Sequence, residues 1–165
     1  MIVADTGAVF ALLDQSDRHH AVVRALYEEG PDGWLLPWAI LPEVDYLVAS
    51  QLGARAQETF FADLADGSFA VEFGKPEDVV RAEAIGRKYR GLGLGLVDAV
   101  VIAVAERIRA DAIATVDLRH FGAVTIAGSP RLLPRDVTRA VKASVVKAGT
   151  VKAGTVKGRR TTKND

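Results

Sequence analysis

Short, mostly apolar runs alternate with longer segments of helical spacing along the first 133 residues, and this alternation restricts the fold most. The runs have the length of buried strands and occupy residues 1–4, 34–36, 69–73, 112–116 and 124–127. Helical spacing between them predicts helices that include residues 42–52, 54–65, 76–89 and 96–109. Strands separated by such helices predict an α/β three-layer sandwich with a mainly parallel central sheet of about five strands.

Four acidic residues stand in apolar settings where carboxylates are uncommon. Asp5 follows the first run, Glu43 follows the apolar residues 39–42, and Asp117 follows the fourth run. Asp98 lies within the most apolar predicted helix. Carboxylates are seldom fully buried unless they are paired or bound to a cation. We therefore expect the fold to gather these four side chains into one pocket.

The positions of the acids agree with that expectation. Asp5 and Asp117 end predicted strands, and ligands of parallel sheets bind beyond the carboxyl ends of the strands. Glu43 and Asp98 fall in the first turns of predicted helices, which can face the same edge. Clustered carboxylates repel one another, and a hard divalent cation is their natural counter-charge. Metal-dependent chemistry is therefore the leading hypothesis from the residues alone.

Each acid also has an ordinary structural explanation. Asp5 is suited to cap the helix that follows the first strand, and Asp117 is suited to a turn after a strand. Glu43 and Asp98 suit the positive end of a helix dipole. For Asp5 and Asp117, taken singly, these explanations are at least as good as catalysis, whereas Asp98 is the hardest of the four to explain in this way. The interpretation that all four acids have only such structural roles is less favoured than a shared functional site.

Composition narrows the class of protein. At 165 residues the chain suits one domain with a sizeable core. The absence of cysteine excludes disulfides, thiolate zinc sites and cysteine nucleophiles. No apolar stretch is long enough to span a bilayer, and the N-terminus lacks the pattern of a signal peptide. The expectation is a cytoplasmic protein without a membrane partner.

Charge divides the chain into two parts. Residues 139–165 hold eight of the 21 basic residues and one of the 21 acidic residues, which leaves the preceding part at a net charge of about −7. An acidic body suits a metal-binding pocket or a basic partner better than electrostatic binding of nucleic acid. Residues 134–165 contain a five-residue repeat and are predicted to be a disordered basic tail, which either contacts RNA phosphates or is dispensable.

The motifs around the acids resemble those of PIN-domain ribonucleases. Ile2-Val3-Ala4-Asp5-Thr6-Gly7-Ala8 is similar to the first-strand motif of that family, and Glu43 to its second acid. The segments Leu96-Val97-Asp98-Ala99-Val100-Val101-Ile102-Ala103 and Thr115-Val116-Asp117-Leu118-Arg119-His120-Phe121 resemble its third and fourth motifs. Their order and spacing resemble the compact VapC toxins of bacterial toxin–antitoxin pairs. The basic tail departs from that pattern.

The resemblance implies a Mg²⁺- or Mn²⁺-dependent endoribonuclease that a small cognate antitoxin neutralises and that forms a homodimer. It implies Asp5, Asp98 and Asp117 as metal ligands, direct or through water. Glu43 would be a further ligand or would orient the attacking water. Thr6 and Thr115 would hydrogen-bond a carboxylate, water or phosphate. No histidine is needed as an acid. His120 is placed to approach a phosphate, but packing beside Phe121 or exposure is the favoured interpretation.

Two other functions stay open at this point. One is a catalytically silent binding module with the same fold, against which the four intact acids argue. The other is a different Mg²⁺-dependent phosphoryl hydrolase. Asp5 at a strand end resembles haloacid-dehalogenase-like phosphatases, but those enzymes require a second aspartate where this chain has Gly7.

Overall fold

A five-stranded parallel sheet forms the centre of the protein, as expected. The computed structural model describes residues 1–137. The strands are β1 (Ile2–Ala4), β2 (Trp34–Pro37), β3 (Ala70–Glu72), β4 (Ala112–Ala114) and β5 (Arg131–Leu133), in the spatial order β3-β2-β1-β4-β5. Every neighbouring pair is parallel. Helices connect the strands, so the predicted α/β class is confirmed.

The helices lie close to where their spacing predicts them. They are α1 (Thr6–Leu13), α2 (His20–Glu28), α3 (Leu41–Leu47), α4 (Ala54–Ala65), α5 (Pro76–Lys88), α6 (Leu96–Ile108) and α7 (Leu118–Phe121). The predicted helix over residues 42–52 is divided, because α3 passes into a π-helical turn at Val48–Leu52. None of the helices in residues 1–137 is long and apolar enough to cross a membrane.

The core is built around the central strand β1. Val3 and Ala4 are completely buried, and so are Val101 and Ile102 of α6. An apolar strand flanked by neighbours on both sides needs no polar face, which explains its uninterrupted apolar run. The burial of α6 likewise explains why it is the most apolar helix. Asp98 in its first turn is therefore held by a rigid, well-packed element.

The predicted fifth strand at residues 124–127 is wrong. Val124 and Ile126 are buried, and their alternation imitates a strand, but their backbone forms no ladder. A turn follows in which Gly128 and Ser129 have φ values of 82° and 49°. The chain then pairs with β4 through β5, whose three residues begin with the exposed Arg131. So short a run at a sheet edge carries little periodic signal.

The proposed boundary at residue 133 lies within the described residues 1–137, and most of the basic tail lies beyond them. After β5, Asp136 returns to the sheet, where its side chain accepts a hydrogen bond from the Leu132 N–H at 2.7 Å. The predicted disorder and RNA contacts of residues 138–165 lie outside the described residues.

Candidate active site

The carboxyl ends of β1 and β4 place Asp5 beside Thr115. The ladder continues one residue beyond each strand, because the Asp5 N–H donates to the Ala114 carbonyl at 2.9 Å and the Thr115 N–H donates to the Leu133 carbonyl at 2.9 Å. The Thr115 hydroxyl then donates to Asp5 Oδ2 at 3.0 Å. Thr115 is fully buried and Asp5 is 5% exposed, so this contact is shielded from solvent.

The next residue, Thr6, joins Asp5 to Glu43. Asp5 caps α1, and its Oδ1 accepts a hydrogen bond from the Thr6 N–H at 2.7 Å. The Thr6 hydroxyl donates to Glu43 Oε2 at 2.9 Å. Glu43 lies in the first turn of α3, as expected. The two acids are thus fixed relative to each other by one residue.

Asp117 is connected to the same centre from the other side. Its N–H donates to the Thr115 hydroxyl at 3.0 Å, so Thr115 contacts both acids. Asp117 also caps the short helix α7, where its Oδ1 accepts hydrogen bonds from the N–H groups of Arg119 and His120 at 2.9 and 3.1 Å. The capping explanation and the clustering explanation of this acid therefore both hold.

Asp98 reaches the centre through a histidine whose place was not expected. His120 Nδ1 lies 2.9 Å from Asp98 Oδ2 and 3.1 Å from Asp117 Oδ2. The expectation that His120 is exposed is wrong, since its side chain is 17% exposed and lies between two acids. Neither contact has hydrogen-bond geometry. Asp98 also accepts a long hydrogen bond of 3.4 Å from the Gly95 N–H.

One continuous chain of contacts therefore joins all four predicted acids and both predicted threonines. In order it runs through Glu43, Thr6, Asp5, Thr115, Asp117, His120 and Asp98. The only member that sequence reasoning left out is His120. Its position three residues after Asp117, on a helix capped by that acid, is the signal that would have placed it near the centre.

Burial and mutual repulsion disturb the ionisation of the acids. Burial raises the pKa of Asp5 to about 6, and the charges of Asp98 and Glu43 add to this, while hydrogen bonds from Thr115 and Thr6 oppose it. Burial likewise raises the pKa of Asp98, helped by the charge of Asp117 and opposed by the Gly95 N–H and His120. Negative charge is thus concentrated at this centre.

The donor set fits a hard divalent cation in its chemistry. All four acids offer oxygen, which Mg²⁺ and Mn²⁺ prefer, and a cation would offset both the cost of burying these charges and their mutual repulsion. Within residues 1–137, no group of three acidic or histidine side chains is already placed to hold an ion.

Comparison with known proteins defines the class. The PIN domain family model matches residues 2–126. Ribonuclease VapC26 of Mycobacterium tuberculosis is 30% identical over 130 residues, which cover 79% of this chain and 96% of the relative. The chain therefore belongs to the PIN-domain family, and the resemblance of its motifs to PIN-domain ribonucleases of the VapC type is confirmed.

Two solved structures share the fold. Mycobacterium tuberculosis VapC20, described as a Sarcin–Ricin loop cleaving toxin, superposes with a TM-score of 0.66 and 20% identity, over 76% of this chain and 97% of that chain. FitAcB from Neisseria gonorrhoeae superposes with a TM-score of 0.55 and 18% identity, over 80% of this chain and 96% of that chain. At 20% and 18% sequence identity, these similarities show a shared fold.

Proposed function

We propose that the protein is a metal-dependent endoribonuclease and the toxin of a toxin–antitoxin pair. The observation that carries the proposal is the network that joins Asp5, Glu43, Asp98 and Asp117 at the carboxyl edge of the sheet. The relationship to ribonuclease VapC26 supports RNA as the substrate. The reaction is hydrolysis of a phosphodiester bond, carried out by the domain within residues 1–133.

The reaction needs positive charge at this acidic centre. When bound, Mg²⁺ or Mn²⁺ provides charge that stabilises the phosphate in the transition state and assists ionisation of the attacking water. We assign Asp5, Asp98 and Asp117 to hold the ion, directly or through water. Their short side chains on rigid elements suit the near-octahedral geometry that Mg²⁺ demands.

The remaining residues orient the acids and the water. The buried Thr115 hydroxyl fixes one oxygen of Asp5, and the Thr6 N–H fixes the other, so this carboxylate has little freedom to rotate. Thr6 also binds one oxygen of Glu43, which leaves the second to contact an ion or to accept a proton from the attacking water. Glu43 is thus a ligand or the group that orients the water.

An exposed apolar groove supports a protein partner. It has a volume of about 580 Å³ and is lined by α5, α6 and the segments that follow β2 and β3. At its rim the rings of Trp38 and Phe73 stack with centroids 5.2 Å apart, although they are 53% and 74% exposed. Such a patch is typical of interaction surfaces. We propose a homodimer and a small antitoxin as partners, in the cytoplasm where the RNA is found.

The test is cleavage of total and transfer RNA by purified, antitoxin-free protein. We expect discrete fragments in Mg²⁺ or Mn²⁺, loss of cleavage in excess chelator, and recovery when the metal is restored. Cleavage that survives the chelator would point to a contaminant. Hydrolysis of phosphomonoesters without RNA cleavage would favour a phosphatase, and a folded, metal-binding protein without either activity would be a silent binding module.

A further inference from the structure

The position of His120 gives it a task beyond packing. We propose that His120 is a positioning residue of the candidate active site, whose ring holds the carboxylates of Asp98 and Asp117 in place for the cation. The inference rests on the proposed metal-dependent function. It follows from the ring nitrogen Nδ1, which lies within 2.9 and 3.1 Å of one oxygen from each acid.

The surroundings of this nitrogen define where its proton lies. A bare lone pair pointed at two carboxylate oxygens would be repelled by both, so Nδ1 carries the hydrogen. The atom is buried, and it has no aligned hydrogen-bond partner. The single N–H at Nδ1 therefore attracts both Asp98 and Asp117 electrostatically, without an aligned hydrogen bond to either. This arrangement brings two like charges together at one point.

The backbone of His120 is held rigidly enough to do this. Asp117 Oδ1 accepts the N–H of His120 at 3.1 Å, while Oδ2 of the same carboxylate contacts the His120 ring. The adjacent Phe121 is buried in the core and anchors the short helix. The ring thus extends from a fixed base toward the first turn of α6.

Asp98 depends on this contact more than the other acids do. Asp5 receives hydrogen bonds of 2.7 and 3.0 Å, and Asp117 receives two from α7. Asp98 receives only the long bond from Gly95, as far as residues 1–137 are concerned. Removing the ring leaves the Asp98 and Asp117 carboxylates free to move apart. Partners that orient metal ligands typically contribute about 10–100-fold to metal affinity or activity.

Three replacements of His120 separate positioning from simple filling of space. His120→Ala removes the N–H, and His120→Asn keeps an N–H close to the position of Nδ1. His120→Gln carries its N–H one bond further out. His20→Ala is the control, because it removes a histidine ring from a different helix, α2. The His20 ring contacts the Ala11 carbonyl at 2.9 Å rather than the acids of the candidate site. Each full-length variant is titrated with Mn²⁺ by calorimetry and assayed for kcat and KM on RNA.

We expect His120→Ala to bind Mn²⁺ about 10–100-fold more weakly than the parent, with the loss of activity in kcat. His120→Asn should stay within a few-fold of the parent and bind more tightly than His120→Gln. This Asn-to-Gln comparison decides the question if the alanine variant does not fold. Equal or tighter Mn²⁺ binding by folded His120→Ala, or Gln equal to Asn, would overturn the inference.

The titration also separates this inference from the proposed function. If the parent binds Mn²⁺ but does not cleave RNA, the nuclease proposal fails and the affinities still decide the role of His120. If the parent cleaves RNA and His120→Ala binds Mn²⁺ with the affinity of the parent, the positioning role of His120 is wrong and the nuclease proposal stands. A parent that binds no Mn²⁺ overturns the inference together with the metal site.

Discussion

Replacing Asp98 by Asn is expected to lower the rate of RNA cleavage by about 10²–10³-fold, the loss typical when one preorganised electrostatic group is removed from an active site. Asn keeps the shape and one oxygen of Asp98, so it can still accept the Gly95 N–H and preserve the first turn of α6. What it lacks is the negative charge that attracts the cation. The measurement is initial cleavage rate at saturating Mg²⁺.

A matched replacement controls for the loss of an acid as such. Asp111 comes just before β4 and Asp117 comes after it, so the two acids lie toward opposite ends of this strand. The exposed side chain of Asp111 pairs with the N-terminal amine. Asp111→Asn should cleave RNA at the rate of the parent. Retention of full activity by Asp98→Asn, in protein free of contaminating nuclease, would remove Asp98 from the proposed centre.

Asp5→Asn is expected to abolish cleavage and, in chelator, to stabilise the protein. The folded state raises the pKa of Asp5 from 3.8 to about 6, so it binds this proton more tightly than the unfolded chain does. The stabilising effect of that proton is complete below about pH 4 and is lost as the pH rises through 6. The loss amounts to about 3 kcal/mol. Above pH 6 the parent therefore carries a buried charge at a net cost.

Asparagine removes the charge but also weakens the hydrogen bonds from Thr6 and Thr115 to Asp5. We therefore expect the free energy of unfolding of Asp5→Asn at pH 8 to be about 1–3 kcal/mol higher than that of the parent. Urea denaturation in chelator measures this difference at pH 8 and at pH 4, where it should vanish or reverse. Saturating Mg²⁺ should stabilise only the parent. A variant less stable than the parent at pH 8 would contradict the account.

The sequence carried most of the information about the four acids because each stands next to an apolar run. Burial of β1 and β4 requires such runs, and a parallel sheet brings their carboxyl ends to one edge. Asp5 and Asp117 could therefore be placed near each other without coordinates. The first-turn positions of Glu43 and Asp98 were readable from proline, glycine and apolar spacing in the same way.

The histidine contact and the last strand could not be read in this way. The approach of His120 to Asp98 depends on how α7 packs against the start of α6, and neither periodicity nor composition reports such packing. β5 has only three residues, and the buried Val124 and Ile126 nearby give a stronger strand pattern. In both cases tertiary packing, rather than local preference, determined the outcome.

The most direct test of the central claim is the position of a bound ion. Crystals of chelator-treated full-length protein soaked in Mn²⁺ would be measured for anomalous scattering at the manganese edge. We expect a peak within ligand distance of carboxylate oxygens of Asp5 and Asp98, with Asp117 bound directly or through water. Crystals of protein that cleaves RNA, but with no peak at this edge of the sheet or with manganese bound only elsewhere, would contradict it.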